Sequence, residues 1–546
     1  MKNALALITA AVLSSVLAAS LLGRALIAAS SPTYDEPVHL SAGFTDLVDG
    51  RYRLNALDHP PLGEMWAALP LLTRRLDRFS AHPAWLEGQV YHFGDLFLYH
   101  NRVGPRELLD PARTWSLVTL TLLVALALVP WAWRLEGPAA GWGAAAALSF
   151  CVPWFSNAAL VTTDASSSAL FFAACSILAG PRRSAGAWAL AGAATGAALA
   201  AKFNMVLLLP LIGFALLAES RAEKSRRPRA RDIILALTVS ALVLAAVYRF
   251  SFVSLWFDGL AATFSRLSSG RAAYLHGSWS SEGWWWYFPA AFLLKTPLAL
   301  LLLGGLGAYA ALRRPRAEAA WLLIPPAGYF VAALTSKTDI GYRHLLPVYP
   351  FVCLWAGLGA ARLWKRGRPA RAALGVLGLW LAVSVVSNAP HSLAYFNELA
   401  GGRGERWLSD SNLDWGQDLP ALARELAARG NPPVLLSYFG AGDPEAYGIK
   451  YVPLGFITNV ERTGNAALAP GAPVFFAISE TNLTGTYFKN HALFDWLRSR
   501  RPAAVPGGSI ALYDLTDDAE GRVILGTMLA GEGRAGDARV ALVHSK

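Results

Sequence analysis

The stretch TYDEPVHLSAGFTDLVDGRYRLNALDHPPLGE, residues 33–64, directly follows the first apolar run of the sequence. It begins with the adjacent carboxylates Asp35 and Glu36 and ends shortly after Asp58 and His59. So many acids and histidines beside a membrane segment are costly unless they are solvated or functional. This stretch is therefore either an ordinary wet loop or a site that the rest of the chain supports.

The composition is that of an integral membrane protein. Hydrophobic residues make up 54% of the 546 residues and charged residues only 16%, whereas soluble proteins have about 25% charged residues. A bilayer span needs roughly 20 apolar residues, or somewhat fewer in a packed bundle, and about eleven stretches qualify. They are residues 4–29, 113–133, 139–154, 160–179, 185–201, 203–217, 233–250, 289–312, 319–334, 345–363 and 370–386.

Basic residues indicate the orientation of these spans. The net charge is +11, but it does not point to nucleic acid because Lys and Arg concentrate in short loops between spans, which is the pattern of cytoplasmic loops. These loops are residues 134–138, 181–184, 221–232, 313–318 and 362–371. With the N-terminus inside, the stretch 33–64 and the chain after residue 387 face outside. A cleaved signal peptide at the N-terminus would leave that stretch outside too.

The chain divides into two predicted domains. Residues 1–390 form a polytopic membrane domain whose first extracytoplasmic loop is 30–112, and residues 391–546 form an extracytoplasmic soluble α/β domain. Strand-like runs at 434–438, 474–478 and 509–515 and helical patterns at 419–429 and 491–500 support the second domain. The acidic segment 409–418 suggests calcium or acceptor recognition, but we interpret it as a solvated entry to the helix that follows.

Polar residues predicted to face outside collect in five places, and one cavity at that membrane face could gather them. They are Asp35, Glu36 and His59; Asp164; Lys202; Tyr274, His276 and Glu282; and Lys337, Asp339, Arg343 and His344. Two of them have simpler explanations, since Lys202 could reach the interface and Asp164 could cap a helix.

Such a mixture suits sugar transfer from a lipid phosphate. An attacking hydroxyl needs a carboxylate base, and a leaving phosphate needs positive charge where its negative charge develops. Lys202, Arg343 or a divalent metal ion could supply that charge. Asp58 and His59, next to Asp35, are the candidate metal ligands.

Several motifs resemble one known family. They are YDEPVHLSAGF (34–44), LDHPPLGEMWAALPLL (57–72), ALVTTDASSSALFF (159–172), GAALAAKFNMVLLLP (196–210), SSEGWWWYFPAAFLLKTPL (280–298), GYRHLLPVYPF (341–351) and LSDSNLDWGQDL (408–419). In this order they resemble the bacterial branch of the protein O-mannosyltransferase and aminoarabinose-transferase group of GT-C glycosyltransferases. The resemblance implies a membrane all-α bundle of GT-C type. The count of about 11 transmembrane helices and the C-terminal soluble α/β domain come from the sequence patterns above. The long insertion of eukaryotic protein mannosyltransferases is absent and the tail domain stands at the end of the chain instead, which weakens the case for a protein acceptor.

The resemblance also implies roles for particular residues. Asp35 matches the catalytic base, with Glu36 beside it, and Asp164 matches a second acidic position near the acceptor or a metal. His59 stands where the aminoarabinose-transferase branch has a lysine that contacts the donor phosphate. Candidates for substrate contacts are Lys202 and Arg343, toward the phosphate, together with Tyr274, His276 and His344.

The implied reaction is an inverting transfer of a sugar from undecaprenyl phosphate to a hydroxyl of a lipid, glycan or protein, at the outer face of the bacterial cytoplasmic membrane. Membrane lipids are the expected surroundings and nucleic acid is not an expected partner. Two other classes remain open: a transporter or flippase of lipid-linked sugars, and a non-catalytic protein that binds envelope glycans through its tail. Transporters are often built from repeats with a site near the bilayer midplane, whereas here the acids cluster at one face.

Overall fold

The computed structural model describes residues 2–181 and 183–542. Arg182, in the predicted cytoplasmic loop 181–184, lies outside the described residues. The first part of the chain is almost entirely helical. Its helices are α1 (Lys2–Ala29), α2 (Glu36–Val48), α3 (Leu62–Ala68), α4 (Pro83–Leu86), α5 (Val90–Tyr99), α6 (Pro105–Glu136), α7 (Pro138–Ser149), α8 (Val152–Ala158), α9 (Thr163–Leu178), α10 (Ala185–Ala201), α11 (Leu208–Ala222), α12 (Ala230–Val247), α13 (Ser254–Ser269), α14 (Tyr287–Lys295), α15 (Leu298–Leu312), α16 (Arg316–Ala333), α17 (Tyr349–Lys365) and α18 (Arg368–Val386). A short hairpin of β1 (Ala273–Leu275) and β2 (Ser278–Ser280) lies between α13 and α14.

Within residues 2–181 and 183–542, six helical segments are long and apolar enough to cross a membrane. A seventh candidate is α14 with α15, which are bent by 113° at the break between them. That break contains Pro297, and a proline disfavours the helical conformation of the residue before it.

Every one of the eleven predicted spans contains a helix, but the count of eleven exceeds the six or seven that pass by length and hydropathy. The predicted span 139–154 is broken at Cys151, which separates α7 from α8. Helices α9 and α10 have only 16 and 17 residues. Much of α9 is buried against other helices.

Small residues set the distance between neighbouring helices. A Cβ atom at Gly192 or Gly196 on α10 would stand 2.3 Å from a backbone oxygen of α12. A Cβ at Gly307 on α15 would stand 1.7 Å from the carbonyl oxygen of Trp355 on α17. Close backbone contact through small residues is the usual way in which membrane helices pack, because lipid provides no hydrophobic force between them.

The loops collect at two opposite ends of the bundle. At one end, Arg134 donates to the carbonyl of Ala179, and Arg314 pairs with Glu136. At the other end, Arg343 pairs with Asp35 of the first loop. The basic connections therefore share one end, and the polar stretch 33–64 shares the other end with the chain that follows α18. This is the arrangement that the alternation of basic loops predicts.

The tail contains a four-stranded sheet with helices on both faces. Its elements are α19 (Leu419–Ala428), β3 (Val434–Ser437), β4 (Tyr451–Pro453), β5 (Phe475–Ser479), α20 (Glu480–Leu483), α21 (Asp495–Arg498), β6 (Ile510–Asp514), α22 (Ala519–Gly531) and α23 (Ala535–Leu542). The strand order is β4-β3-β5-β6, with β3 parallel to both neighbours and β6 antiparallel to β5.

Alternate residues of the strands point to opposite faces of this sheet. Val434 belongs to a buried cluster with α19, and Leu435 to a cluster with α22 and α23. Three strands and α19 lie on the runs that the sequence predicts. The predicted helix 491–500 is wrong in length, since only Asp495–Arg498 is helical there.

We expect Gly307→Val to destabilise the α15–α17 contact, because the added side chain meets the backbone at Trp355. Overpacking of this kind costs about 1–3 kcal/mol. The melting temperature of the purified protein in detergent measures the effect. Gly305→Val is the matched control, because a Cβ at Gly305 on the same helix meets nothing within 4 Å. Equal melting temperatures for the two variants would contradict the close packing.

Candidate active site

Asp35 stands at the start of α2, where the chain turns from the end of α1 into the first loop. Its carbonyl accepts the first helical hydrogen bond from the N–H of His39, at 3.1 Å. The side chain makes no capping hydrogen bond. It points instead to Arg343, whose Nη1 lies 3.1 Å from Oδ2 of Asp35. The carboxylate is 28% exposed, so an incoming group can reach it.

Glu36, the neighbour of Asp35, is completely buried and its oxygens are fully engaged. Arg113 on α6 donates from Nε to Oε1 at 2.8 Å and from Nη2 to Oε2 at 2.5 Å. The backbone N–H groups of Thr33 and Val161 donate at 2.8 and 2.9 Å. Glu36 was a sequence candidate for catalysis, but these contacts favour a role in holding the start of α2 in place.

Asp164 and Lys202 form the second part of the site, from the start of α9 and the end of α10. Lys202 Nζ donates to Oδ1 of Asp164. The other carboxylate oxygen, Oδ2, lies 3.7 Å from Nη1 of Arg343. Neither simple explanation fits, because Asp164 caps no helix through its side chain and Lys202 pairs with a buried acid. Arg343 thus lies between Asp35 and Asp164.

Arg343 has a hydrogen-bond donor that neither Asp35 nor Asp164 uses. Its guanidinium carbon lies 4.0 Å from the centroid of the Trp415 ring, a cation–π distance. Its Nε is buried without a hydrogen-bond partner, and so is Nε2 of the neighbouring His344. Buried polar atoms without a partner are uncommon and call for an explanation. Two such nitrogens beside Asp35 and Asp164 can accommodate the oxygens of an anionic ligand.

His59 lies next to this cluster without joining an ion pair. Its ring packs on that of His39 with centroids 4.9 Å apart, and Nδ1 lies 3.4 Å from Oγ1 of Thr163. Burial, then the nearby charges of His39 and Lys202, hold the pKa of His59 well below its ordinary value. A neutral imidazole therefore stands at the position of the expected phosphate contact, able to form a hydrogen bond but not to supply charge.

The candidate metal ligands do not come together. Asp58 is half exposed and pairs with Arg266, whereas His59 packs on His39. In the described part of the chain, no group of three His, Cys, Asp or Glu side chains is placed to hold a metal ion. A divalent metal remains a prediction from the sequence, without a ligand set in this structure.

Tyr274 and His276 lie on the β1–β2 hairpin, where they contact the tail. The Tyr274 hydroxyl donates to the carbonyl of Arg406 at 3.3 Å. The His276 ring packs on Trp407 with centroids 4.3 Å apart. Their contacts attach the hairpin to the chain after α18, and no contact joins either side chain to Asp35 or Asp164 among the residues described.

The tail supplies site residues that the sequence reasoning did not single out. The prediction of a solvated segment at 409–418 is wrong, because Asp410 and Trp415 are only 4% and 3% exposed. Tyr487 donates its hydroxyl to Asp410, and the guanidinium of Arg271 lies 5.8 Å from the Tyr487 ring. Burial raises the pKa of Asp410 against the lowering effect of Arg271. Both Asp410 and Trp415 lie in the motif LSDSNLDWGQDL (408–419), which is the feature of the sequence that could have identified them as site residues.

A stack of aromatic rings joins the first loop to the tail beside Asp35. Tyr34 stacks on Phe439 with centroids 5.0 Å apart, and Phe439 stacks on Tyr487 at 5.4 Å. Tyr91 meets the other side of Tyr34 edge-on at 6.1 Å. The wall of the site is therefore built by both predicted domains.

Lys295 was also not singled out, although it lies in the quoted motif 280–298. It is fully buried, and its Nζ donates to the carbonyls of Leu393 and Asn412. It also lies 4.2 Å from the centroid of the Phe396 ring. Through these hydrogen bonds, Lys295 holds the bend between α14 and α15 against the segment 391–412.

No protein-family model matches the chain, and no curated protein sequence matches it. Among solved structures, it is similar to ArnT from Cupriavidus metallidurans bound to undecaprenyl phosphate, with 14% identity, a TM-score of 0.46 and coverage of 93% of this chain and 97% of the other. It is also similar to the apo state of the same protein, with 14% identity, a TM-score of 0.47 and coverage of 94% and 97%.

The Glu36–Arg113 pair predicts an acid-sensitive fold. Burial alone would raise the pKa of Glu36, but Arg113 and two backbone N–H donors hold it below its ordinary value. Such a group stabilises the protein above its unfolded pKa of about 4.3, and this contribution is lost as pH falls through the folded pKa. We expect the wild-type melting temperature to fall on acidification from pH 7 to pH 3.

Glu36→Gln tests this prediction. Breaking a buried pair costs about 3–5 kcal/mol, so we expect a lower melting temperature at pH 7 and a flatter dependence on pH. The control is Glu107→Gln, since the Glu107 side chain is 63% exposed. A Glu36→Gln protein as stable as wild type at pH 7 would contradict the structural role of the pair.

Proposed function

We propose that the protein is a glycosyltransferase that moves a hexosyl or pentosyl group from a polyprenyl phosphate carrier to a hydroxyl acceptor. The observation that carries the proposal is the arrangement around Arg343. An accessible carboxylate, Asp35, stands beside a cation that also faces the Asp164–Lys202 pair. A base and paired positive charges in one place are what transfer from a phosphate requires.

In the proposed reaction, the acceptor oxygen attacks the anomeric carbon of the sugar, and its proton passes to Asp35. The bond between that carbon and the phosphate oxygen breaks, and its electron pair leaves with the lipid phosphate. Arg343 and Lys202 stabilise the charge that develops on this phosphate, with the free Nε of Arg343 as a donor. A single displacement inverts the anomeric configuration.

The position of the site in the bundle supports a reaction at the outer face of the membrane. It lies at the end of the bundle opposite the basic connections, and we propose that this end faces the outside of a bacterial cytoplasmic membrane. In this arrangement residues 1–390 form the membrane domain, and residues 391–546 form an extracytoplasmic domain that closes the site. The acceptor is a lipid, glycan or protein hydroxyl. The ring stack of Tyr34, Phe439 and Tyr487 offers apolar faces for a sugar or lipid.

The first test replaces the proposed base. We expect Asp35→Asn to lower the rate of sugar transfer by about 10²- to 10⁴-fold, which is the usual contribution of a general base. The measurement is release of polyprenyl phosphate from a panel of synthetic polyprenyl-phosphate sugars by purified protein in lipid. Acceptor extract is supplied in each assay.

Asp77→Asn is the matched control for this test. Asp77 lies in the same first loop, is 34% exposed and pairs with Arg102. The Asp77→Asn variant should retain activity. If no donor in the panel is consumed by the wild type, or if Asp35→Asn is as active as Asp77→Asn, the catalytic proposal is wrong. Movement of an intact lipid-linked sugar across the membrane would then favour a transporter.

A second test concerns the contribution of the tail. Trp415 lies against Arg343, and a desolvated cation–π contact contributes up to about 2 kcal/mol. We expect Trp415→Leu to lower kcat/KM for the donor by up to about 30-fold through misplacement of Arg343. Trp285→Leu is the control, since Trp285 is 71% exposed. Equal values for the two variants would mean that the tail does not position Arg343.

A further inference from the structure

A wide apolar groove lies between α10, α11 and α12 in the part of the bundle away from Asp35. Its volume is about 1130 Å³, slightly above the roughly 300–1,000 Å³ usual for pockets that hold small molecules. Its walls are apolar side chains such as Ile212, Leu216 and Leu237. None of the residues placed in the candidate active site lines it.

The groove exists because α11 and α12, which form its sides, pack against different helices and not against each other. Helix α12 lies close to α10 through the contacts of Gly192 and Gly196. Helix α11 instead lies against α16, where a Cβ at Gly328 would stand 2.3 Å from the Leu211 side chain. The basic connection 223–229 joins the end of α11 to the start of α12. The groove therefore begins at this connection and runs between the two helices.

One end of the groove carries positive charge that the protein does not neutralise. Arg221, Lys224 and Arg227 line it, and no hydrogen bond or ion pair of their side chains is found in residues 2–181 and 183–542. The nearby Arg183 and Arg226 differ, because both pair with the buried carboxylate of Glu219. Three cations above an apolar groove match a ligand with an anionic head and an apolar tail.

We propose that this groove binds an anionic glycerophospholipid, with its phosphate at Arg221, Lys224 and Arg227 and an acyl chain between α11 and α12. Basic pockets between membrane helices on the side of the arginine-rich loops recognise lipid head groups in this way. The bound lipid fills the space that α11 and α12 leave open and stabilises their separation.

The ligand of the groove is distinct from the proposed sugar donor. Trp188, near the start of α10, lines the groove, whereas Lys202 follows the end of the same helix. At a rise of 1.5 Å per residue, the 17 residues of α10 span about 25 Å. A phosphate at the three cations is therefore far from Asp35 and cannot be the leaving group of the reaction. The lipid site does not depend on the proposed transfer.

Binding of defined lipids to the full chain in detergent tests the proposal, with native mass spectrometry as the readout. We expect one phosphatidylglycerol to bind with a dissociation constant at least about tenfold lower than that of phosphatidylcholine with the same acyl chains. The triple variant Arg221→Gln, Lys224→Gln, Arg227→Gln should lose this preference. The triple variant Arg362→Gln, Arg366→Gln, Arg368→Gln removes equal charge from another basic connection and should keep it.

A second pair of variants tests the groove without changing its charge. Gly213 on α11 lines the groove, and a Cβ there meets nothing within 4 Å. We expect Gly213→Trp to fill the space and weaken phosphatidylglycerol binding about tenfold, whereas Gly305→Trp on α15, where there is equal room, should have no effect.

Several outcomes would overturn the lipid site. They are equal binding of the two phospholipids, equal losses in the two triple variants, and unchanged binding in Gly213→Trp. Displacement of phosphatidylglycerol by undecaprenyl phosphate at equal concentration would assign the groove to the donor lipid instead. Because the readout is binding and not transfer, failure here leaves the result for Asp35→Asn unaffected.

Discussion

The buried ion pair between Glu36 and Arg113 is the constraint on which the site depends. Two charges are removed from water only when their hydrogen-bonding capacity is met, and here Arg113 also donates to the carbonyl of Ser31 at 2.9 Å. The pair therefore joins the end of α1, the start of α2 and the first part of α6 at one point. Asp35 is the next residue in the chain, and its direction follows from this anchor.

Around that anchor, the site is assembled from segments that are distant in sequence. Asp35 comes from the first loop, Asp164 and Lys202 from the ends of two helices, and Arg343 from the segment before α17. The tail completes it with Trp415 against Arg343. Alternating acids and cations hold one another in place, and the unpartnered nitrogens of Arg343 and His344 leave room for a further anion.

The opposite end of the bundle also combines acidic and basic side chains, but there the basic ones are in excess. There Glu219 neutralises Arg183 and Arg226, but three further cations face an apolar groove. One end thus has acids and cations in close pairs, which suits the proposed sugar transfer, and the other has excess positive charge over an apolar surface, which suits the proposed lipid.

The sequence alone determined the membrane class, the helical segments, the placement of basic and acidic loops at opposite ends of the bundle, and three of the tail strands. These depend on apolar length, charge placement and local periodicity, which are all properties of neighbouring residues. The acids and cations near Asp35 were candidates from the predicted topology and the motifs, but their contacts are tertiary. Only the tertiary structure decided that Glu36 is an anchor, that Asp58 pairs with Arg266, and that the segment 409–418 is buried against the site. A single acidic motif is compatible with water or with a buried partner. Which of the two it meets depends on residues such as Arg113, Arg271 and Tyr487 that are far away in the chain.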